Sequence, residues 1–213
     1  MGMFLRRGII PQLSDLNEGR IIKFNESGTP AEFYLACHNY EAGLNGAGRT
    51  LIVRKDCYDM RAFDEGGLNT YASSDLDLWH CGTYLNLLDP RVRAAIGTTT
   101  IHVITNHSNN TLTTIQRAVF QLSSVELGIG PGNTVGEGTI LPIAATKLRV
   151  AYRNGAAVDQ WTRTLFVSSS NQHNVYYVTR SGDNDYEYCT QSKGSRPAFT
   201  LPSNFIVKAD MLA

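Results

Sequence analysis

Two arginines lie inside otherwise apolar or small-residue sequence, in Trp161-Thr162-Arg163-Thr164 and in Gly194-Ser195-Arg196-Pro197-Ala198-Phe199. That placement constrains the fold. A buried charge without partners is too costly, and a guanidinium carries five N–H donors in a fixed fork, each of which needs an acceptor. The pattern predicts that Trp161, Arg163 and Arg196 form the structural centre of a C-terminal sheet, with each guanidinium bracing loops through backbone carbonyls or a carboxylate. Anion capture at a cleft is the functional alternative. Between the arginines, residues 168–191 are dominated by Ser, Asn, Tyr and Asp, with apolar residues only in short strand-like pieces such as Val175-Tyr176-Tyr177-Val178. A rigid scaffold carrying a polar and aromatic surface is the expected result.

The chain has 213 residues, enough to bury roughly 70% of its unfolded surface. Lys plus Arg equals Asp plus Glu at 19 each, so no basic field gathers phosphates and nucleic-acid binding is disfavoured. No apolar run reaches the ~20 residues that span a bilayer, and Met1 to Arg7 lacks the hydrophobic centre of a secretory signal. The expectation is a cytoplasmically made product without membrane insertion. Residues 1–13 read as an N-terminal arm and 14–213 as a single domain. Cys37, Cys57, Cys81 and Cys189 form no C-x-x-C pair, which points to free, mostly buried thiols.

Ile21-Ile22-Lys23-Phe24 and Glu32 to Ala36 flank the turn-forming Asn25 to Pro30, predicting a β-hairpin. Thr50 to Arg54 supplies a third strand. Ser74 before Asp75-Leu76-Asp77 is an N-cap with first-turn carboxylates, and Leu78, Cys81, Leu85 and Leu88 follow at helical spacing. Asp89-Pro90 opens a second short helix over Arg91 to Ile96, closed by Gly97. Thr99 to Thr105 and Ala118 to Leu122 read as strands around a polar Asn106 to Asn110 loop. The glycine-rich Gly128 to Gly138 matches no phosphate-binding pattern and reads as a flexible loop. Thr146 to Tyr152 fits a short helix ending at Asn154-Gly155. From Trp161 the reading is β throughout, with Ser181-Gly182 joining two strands as a hairpin.

Catalysis needs convergent groups, and the sequence offers none. His38, His80, His102, His107 and His173 show no metal-ligand spacing, and Gly-x-Ser-x-Gly is absent. No enzyme and no cofactor are expected. Asp183-Asn184-Asp185 with Glu187 offers oxygen ligands but matches no calcium loop, so a polar turn is the stronger reading. Tyr186 and Tyr188 share one strand face, as do Tyr176 and Val178. Because Tyr brings large contact area at low entropic cost while Ser and Asn adapt their hydrogen bonds, the expected contact residues are Asn171, His173, Asn174, Tyr176, Asp183, Asn184, Asp185, Tyr186 and Tyr188.

Several stretches together resemble a family of phage and Firmicute domains with a Trp-Leu-Arg-Ser element and a terminal Gly-Val-Arg-Pro-Ala element. They are Leu13 to Gly19 with Ile22-Lys23-Phe24, Tyr84-Leu85-Asn86 with Leu88-Asp89 and Ala95-Ile96, Val119 to Ser123 with Val125-Glu126, Arg149 to Tyr152 with Asn154-Gly155, and the two arginine elements. Thr162 and Thr164 replace the family's Leu and Ser. The resemblance implies an α+β, C-type-lectin-like fold related to formylglycine-generating enzymes, with antiparallel strands, two short helices and long loops. It further implies a phage virion protein at a tail tip, fibre or capsid surface, similar to receptor-binding domains and to the variable proteins of diversity-generating retroelements. Other virion proteins, a host cell-surface glycan or protein, and a second copy in a homo-oligomer are the implied partners. The alternative is a purely structural decoration, baseplate or tail component using the 168–191 surface for subunit contacts.

Overall fold

The computed structural model describes residues 10–130 and 136–212. Residues 1–9 of the expected arm and 131–135 of the glycine-rich loop lie outside them. The described part of the arm is tied down, with Gln12 bridging to Ile206 and Leu13 buried.

Strand β1 (Ile21–Glu26) turns into β2 (Thr29–Cys37) through Ser27-Gly28. Both turn residues have positive φ, 50° and 81°, the backbone of a tight hairpin whose twist matches that of its strands. A single-turn helix α1 (Ala42–Asn45) precedes β3 (Arg49–Arg54) and β4 (Asp59–Arg61). One continuous helical stretch follows, made of α2 (Asp75–Trp79), a π turn over His80–Tyr84 and α3 (Leu85–Leu87). Then come α4 (Pro90–Ala95), β5 (Thr99–Asn106), β6 (Thr111–Arg117) and β7 (Val119–Gln121). A second π turn (Ala144–Leu148) leads to β8 (Ala151–Arg153), β9 (Ala156–Val158), β10 (Gln160–Leu165), β11 (Asn174–Val178), β12 (Asn184–Tyr188), β13 (Lys193–Ser195) and β14 (Pro197–Pro202). The protein is α+β and sheet-rich, with short helices and mostly antiparallel strands.

Two five-stranded sheets organise these pieces, in the orders β1-β2-β3-β14-β7 and β12-β11-β10-β13-β4, beside the two-stranded pairs β5-β6 and β8-β9. Side chains alternate across a strand, and the first sheet uses both faces. Phe33, Leu35, Ile52, Val119 and Phe199 face a core shared with Tyr84, Leu88 and Val92 of the helical region. Tyr34, Ala36, Leu51, Val53, Phe120 and Ala198 face the other way, into a core shared with Trp161, Val175 and Tyr177 of the second sheet. The layers are therefore helix, sheet, sheet.

Caps form where the sequence places them. Ser74 Oγ accepts the Asp77 N–H at 3.2 Å, and Asp89 Oδ1 accepts the Arg91 N–H at 2.9 Å. The helix face differs from expectation. Leu78 is 60% exposed, while Leu76, Asp77, His80 and Tyr84 are buried: two residues from Leu76, Leu78 lies on the opposite side of α2, and past it the π turn keeps Tyr84 on the Leu76–His80 side. Thr111 to Arg117 forms a strand that the polar loop before it obscures. The helix expected over Thr146 to Tyr152 is also corrected. Helical structure stops at Leu148, and Asn154-Gly155, both with positive φ, form the turn of the β8-β9 hairpin rather than a helix cap.

Candidate binding surface

The surface rests on a polar centre built around the two arginines. Arg163 donates from all five N–H positions: Nε to the His102 carbonyl (2.9 Å), Nη1 to the Gln121 carbonyl (3.0 Å) and Glu126 Oε2 (2.6 Å), Nη2 to Glu126 Oε1 (3.0 Å) and the Glu137 carbonyl (2.9 Å). Tyr40 donates its hydroxyl to Glu126 as well. Burial opposes the charge on Arg163, but the Glu126 carboxylate and Tyr40 outweigh it and raise the guanidinium's pKa. Arg196 is buried without a carboxylate in hydrogen-bond contact. It donates to the carbonyls of Arg54 (2.8 Å), Leu148 (2.6 Å), Lys55 (2.6 Å) and Lys147 (3.3 Å) and to Gln160 Oε1 (3.5 Å). Burial lowers its pKa. Trp161 Nε1 donates to the Arg61 carbonyl at 2.9 Å, and its ring packs edge-on against Phe63 and Tyr177.

Glu137 completes this centre. Its Oε1 accepts the Ile104 N–H at 2.9 Å, and burial pushes its carboxyl up to about 7 against the pull of Arg163. His80, in the first π turn, is buried with Nε2 3.0 Å from Ser195 Oγ. Burial and the nearby Arg61 charge press its imidazole down to about 3, so it is a neutral structural group.

Above this frame lies the edge strand β12. Its register with β11 pairs Tyr186 with Tyr176 and Tyr188 with Asn174. Tyr186 and Tyr188 are 47% and 50% exposed and both are backed by rings. Tyr186 lies over Phe166 with centroids 4.2 Å apart, and Tyr188 stacks on His173 at 5.7 Å and 6°. His173 is held in turn by Nδ1 bonding to the Gly67 carbonyl at 2.6 Å. Asp183, Asn184 and Asp185 are exposed beside the tyrosines.

Two expected contact residues lie beneath the surface instead. Tyr176 is 5% and Asn174 7% exposed, because β11 is the second strand of the sheet and Phe166 and Tyr186 pack against Tyr176. Asn171 acts as a turn brace, its Oδ1 accepting the N–H groups of His173 (2.9 Å) and Asn174 (3.1 Å). Phe166, the ring under Tyr186, was not among the expected residues. Its signal is its position just after β10, where its N–H bonds the Asn174 carbonyl.

The free edge of β12 carries its own plugs. Cys189 N–H bonds the His173 carbonyl and Thr179 N–H the Asp183 carbonyl, so odd-numbered residues of β12 bond β11 and even-numbered ones point outward. The outward N–H of Tyr186 is taken by Asp185 Oδ1 (2.8 Å) and that of Tyr188 by Glu187 Oε1 (3.0 Å). Charged residues on an edge oppose strand addition. What the edge offers a partner is its rings.

Elsewhere, a cavity of about 370 Å³ is lined by Glu18, Cys37, His38, Tyr40 and Glu41 with the 139–142 segment. Its carboxylates are spent on its own walls, Glu18 accepting the His38 N–H and Glu41 the Thr139 N–H. Burial and the carboxylates Glu18, Glu126 and Glu41 push the Cys37 thiol up to about 12. Among the described residues no group of His, Cys, Asp and Glu could hold a metal ion, and no helix is long and apolar enough to cross a membrane.

The chain matches a protein family described as a domain of unknown function, DUF6273, over residues 47–203, from just before β3 to the end of β14. No curated protein and no solved structure matches it.

Proposed function

Because the chain belongs to the DUF6273 family, whose description assigns no function, we propose its role from the surface itself: a binding module that recognises a bacterial cell-surface glycan or protein through the β12 face. The observation that carries this reading is the pair of half-exposed tyrosines, each backed by a second ring, on an edge whose backbone is closed to strand addition. Pre-stacked rings lose little freedom on binding. The adjacent Asp183, Asn184 and Asp185 supply a polar rim.

In this reading the protein is a phage virion component at a tail tip, fibre or capsid surface, with a C-type-lectin-like fold and no catalytic activity. The arginine elements and the arrangement of two mostly antiparallel sheets with long irregular connections support the fold assignment. The thiols support the non-catalytic assignment. Cys37, Cys57 and Cys189 are all raised mainly by burial, to between about 11 and about 12, which keeps them protonated and poorly nucleophilic.

The test is attachment. Labelled protein is incubated with intact bacteria and with purified surface polysaccharides, and compared with the Tyr186→Ala, Tyr188→Ala double variant. Attachment should vanish. Losing the ring contacts of Tyr186 with Phe166 and Tyr176 and of Tyr188 with His173 costs about 2–3 kcal/mol in all, so Tm should fall by roughly 4–12 °C while the protein stays folded. Collapse of folding together with attachment would assign the tyrosines to the core, and full attachment by a folded double variant would move the surface to structural subunit contacts within a virion.

A further inference from the structure

The β5-β6 hairpin has an edge treated differently from that of β12. The even-numbered residues of β5 are turned away from β6. Ile104 N–H bonds Glu137, Thr100 bonds Asn45 through both its N–H and its carbonyl, and the His102 carbonyl accepts from Arg163. The odd-numbered residues Thr99, Ile101 and Val103 therefore face Arg117, Ile115 and Thr113 in the bonded positions of the ladder. It follows that Leu112, Thr114 and Gln116 present their N–H and C=O groups outward along an edge that pairs with nothing else among the described residues. The Gln116 carbonyl accepts Arg117 Nη1 at 2.9 Å. No described side chain caps the outward groups of Leu112 or Thr114.

Other long edges are covered. That of β1 meets Leu212 and Leu88 through isolated bridges, and that of β12 is plugged by Asp185 and Glu187. Strand β6 runs seven residues, Thr-Leu-Thr-Thr-Ile-Gln-Arg, with no proline. Its one charge, Arg117, is already paired with Asp77 at 2.7 Å. An edge open at Leu112 and Thr114 and carrying no unpaired charge is a template for another strand.

We propose that this edge is a homodimer interface, in which β6 pairs antiparallel with β6 of a second copy about a two-fold axis at Thr114. The outward set is symmetric about that residue, so the register that uses the whole strand pairs Thr114 with Thr114 of the partner, Leu112 with Gln116 of the partner, and Thr113 with Ile115 of the partner. The pairing offers about six backbone hydrogen bonds and joins the two hairpins into one four-stranded sheet. The symmetry of the outward set about Thr114 favours a second copy as the occupant, because two β6 edges are self-complementary and, with Arg117 paired to Asp77, meet without repulsion. Two β12 edges would instead set carboxylates against carboxylates. Pairing also removes the exposed edge, as an isologous two-fold contact closes on itself.

The test measures mass by light scattering and sedimentation near 100 µM, with circular dichroism to check folding. The wild-type chain should have twice the mass of one chain. The double variant Leu112→Lys, Gln116→Lys sets like charges opposite each other and should be monomeric. The variant Leu112→Lys, Gln116→Glu sets lysine opposite glutamate in this register and should restore the dimer. Amide exchange at Leu112 and Thr114 should slow as concentration rises. A single-chain mass for the wild-type protein, equal dissociation of both variants, or fast Thr114 exchange at high concentration would overturn the proposal.

Discussion

Replacing Glu137 by glutamine should make the protein more stable at alkaline pH and leave it unchanged in acid. Glu137 is completely buried beside an arginine that Glu126 already neutralises through two hydrogen bonds, so its own ionisation adds an uncompensated charge. Its carboxyl is held near 7 against an ordinary value of 4.5. For a raised carboxyl, the folded state keeps its proton over a range where the unfolded chain has lost it. Stability is therefore full below about 4.5, falls as pH rises toward 7, and is level above that. Each pH unit in that window costs about 1.4 kcal/mol, so the full crossing costs about 3 kcal/mol. Glutamine keeps an acceptor for the Ile104 N–H and cannot ionise. Denaturant unfolding of both proteins at pH 4.5, 5.5, 6.5, 7.5 and 8.5 should show the difference in free energy growing in favour of Glu137→Gln to about 3 kcal/mol, or roughly 6–12 °C in Tm. Other titrating groups cancel in that difference. Parallel profiles for the two proteins would refute the reasoning, since they would mean that Glu137 is already ionised or solvated in the fold.

His80 should act in the opposite direction. Its folded value lies near 3, below the ordinary 6.5, so its contribution is present above 6.5 and is lost as pH falls toward 3, and His80→Gln should flatten that acid loss in urea titrations. Arg196→Ala takes a donor from four backbone carbonyls and the Gln160 amide oxygen, and only the Leu148 carbonyl keeps a second side-chain donor, Gln160 Nε2. The loss should cost more than about 4 kcal/mol and yield aggregated protein on gel filtration. Arg196→Lys should fail almost as badly, because a single ammonium cannot span acceptors arranged for a planar fork. A soluble Arg196→Ala protein with unchanged Tm would contradict this.

Much of the fold was legible where local chemistry decides the backbone. Asn25 to Pro30 marks a hairpin because only a few residues accept two successive positive φ values, and Ser74 and Asp89 mark helix starts because their side chains replace missing backbone acceptors. The misreadings have physical causes. Leu78, Cys81, Leu85 and Leu88 have helical spacing, but so do Leu76, His80, Tyr84 and Leu88, and with a π turn in the stretch only packing decides which stripe is buried. Asn154-Gly155 suits a helix cap and a hairpin turn equally, and only the pairing of Ala151–Arg153 with Ala156–Val158 decides between them. Thr111 to Arg117 lacks alternation because nearly all of it is exposed. In the site, Tyr186 and Tyr188 were legible by strand parity, but the burial of Tyr176 and Asn174 depends on how many strands lie outside β11. The partners of Arg163 come from positions 102, 121, 126 and 137, which no local reading could assemble.

The position of β14 sets an order on folding. It lies between β3 and β7, so the last strand of the chain fills the middle of a sheet whose other members were made long before. Until residues 197–202 arrive, β3 and β7 each present an apolar edge with open backbone groups, and Arg196, just ahead of β14, cannot reach carbonyls that come from residues 54, 55, 147 and 148. The first sheet therefore cannot close strand by strand as the chain lengthens. It has to wait for one late, long-range insertion, a topology that folds slowly and leaves a growing chain exposed to mispairing. A protein truncated before β14 should accordingly be a collapsed intermediate with two open edges, rather than a smaller version of the native fold.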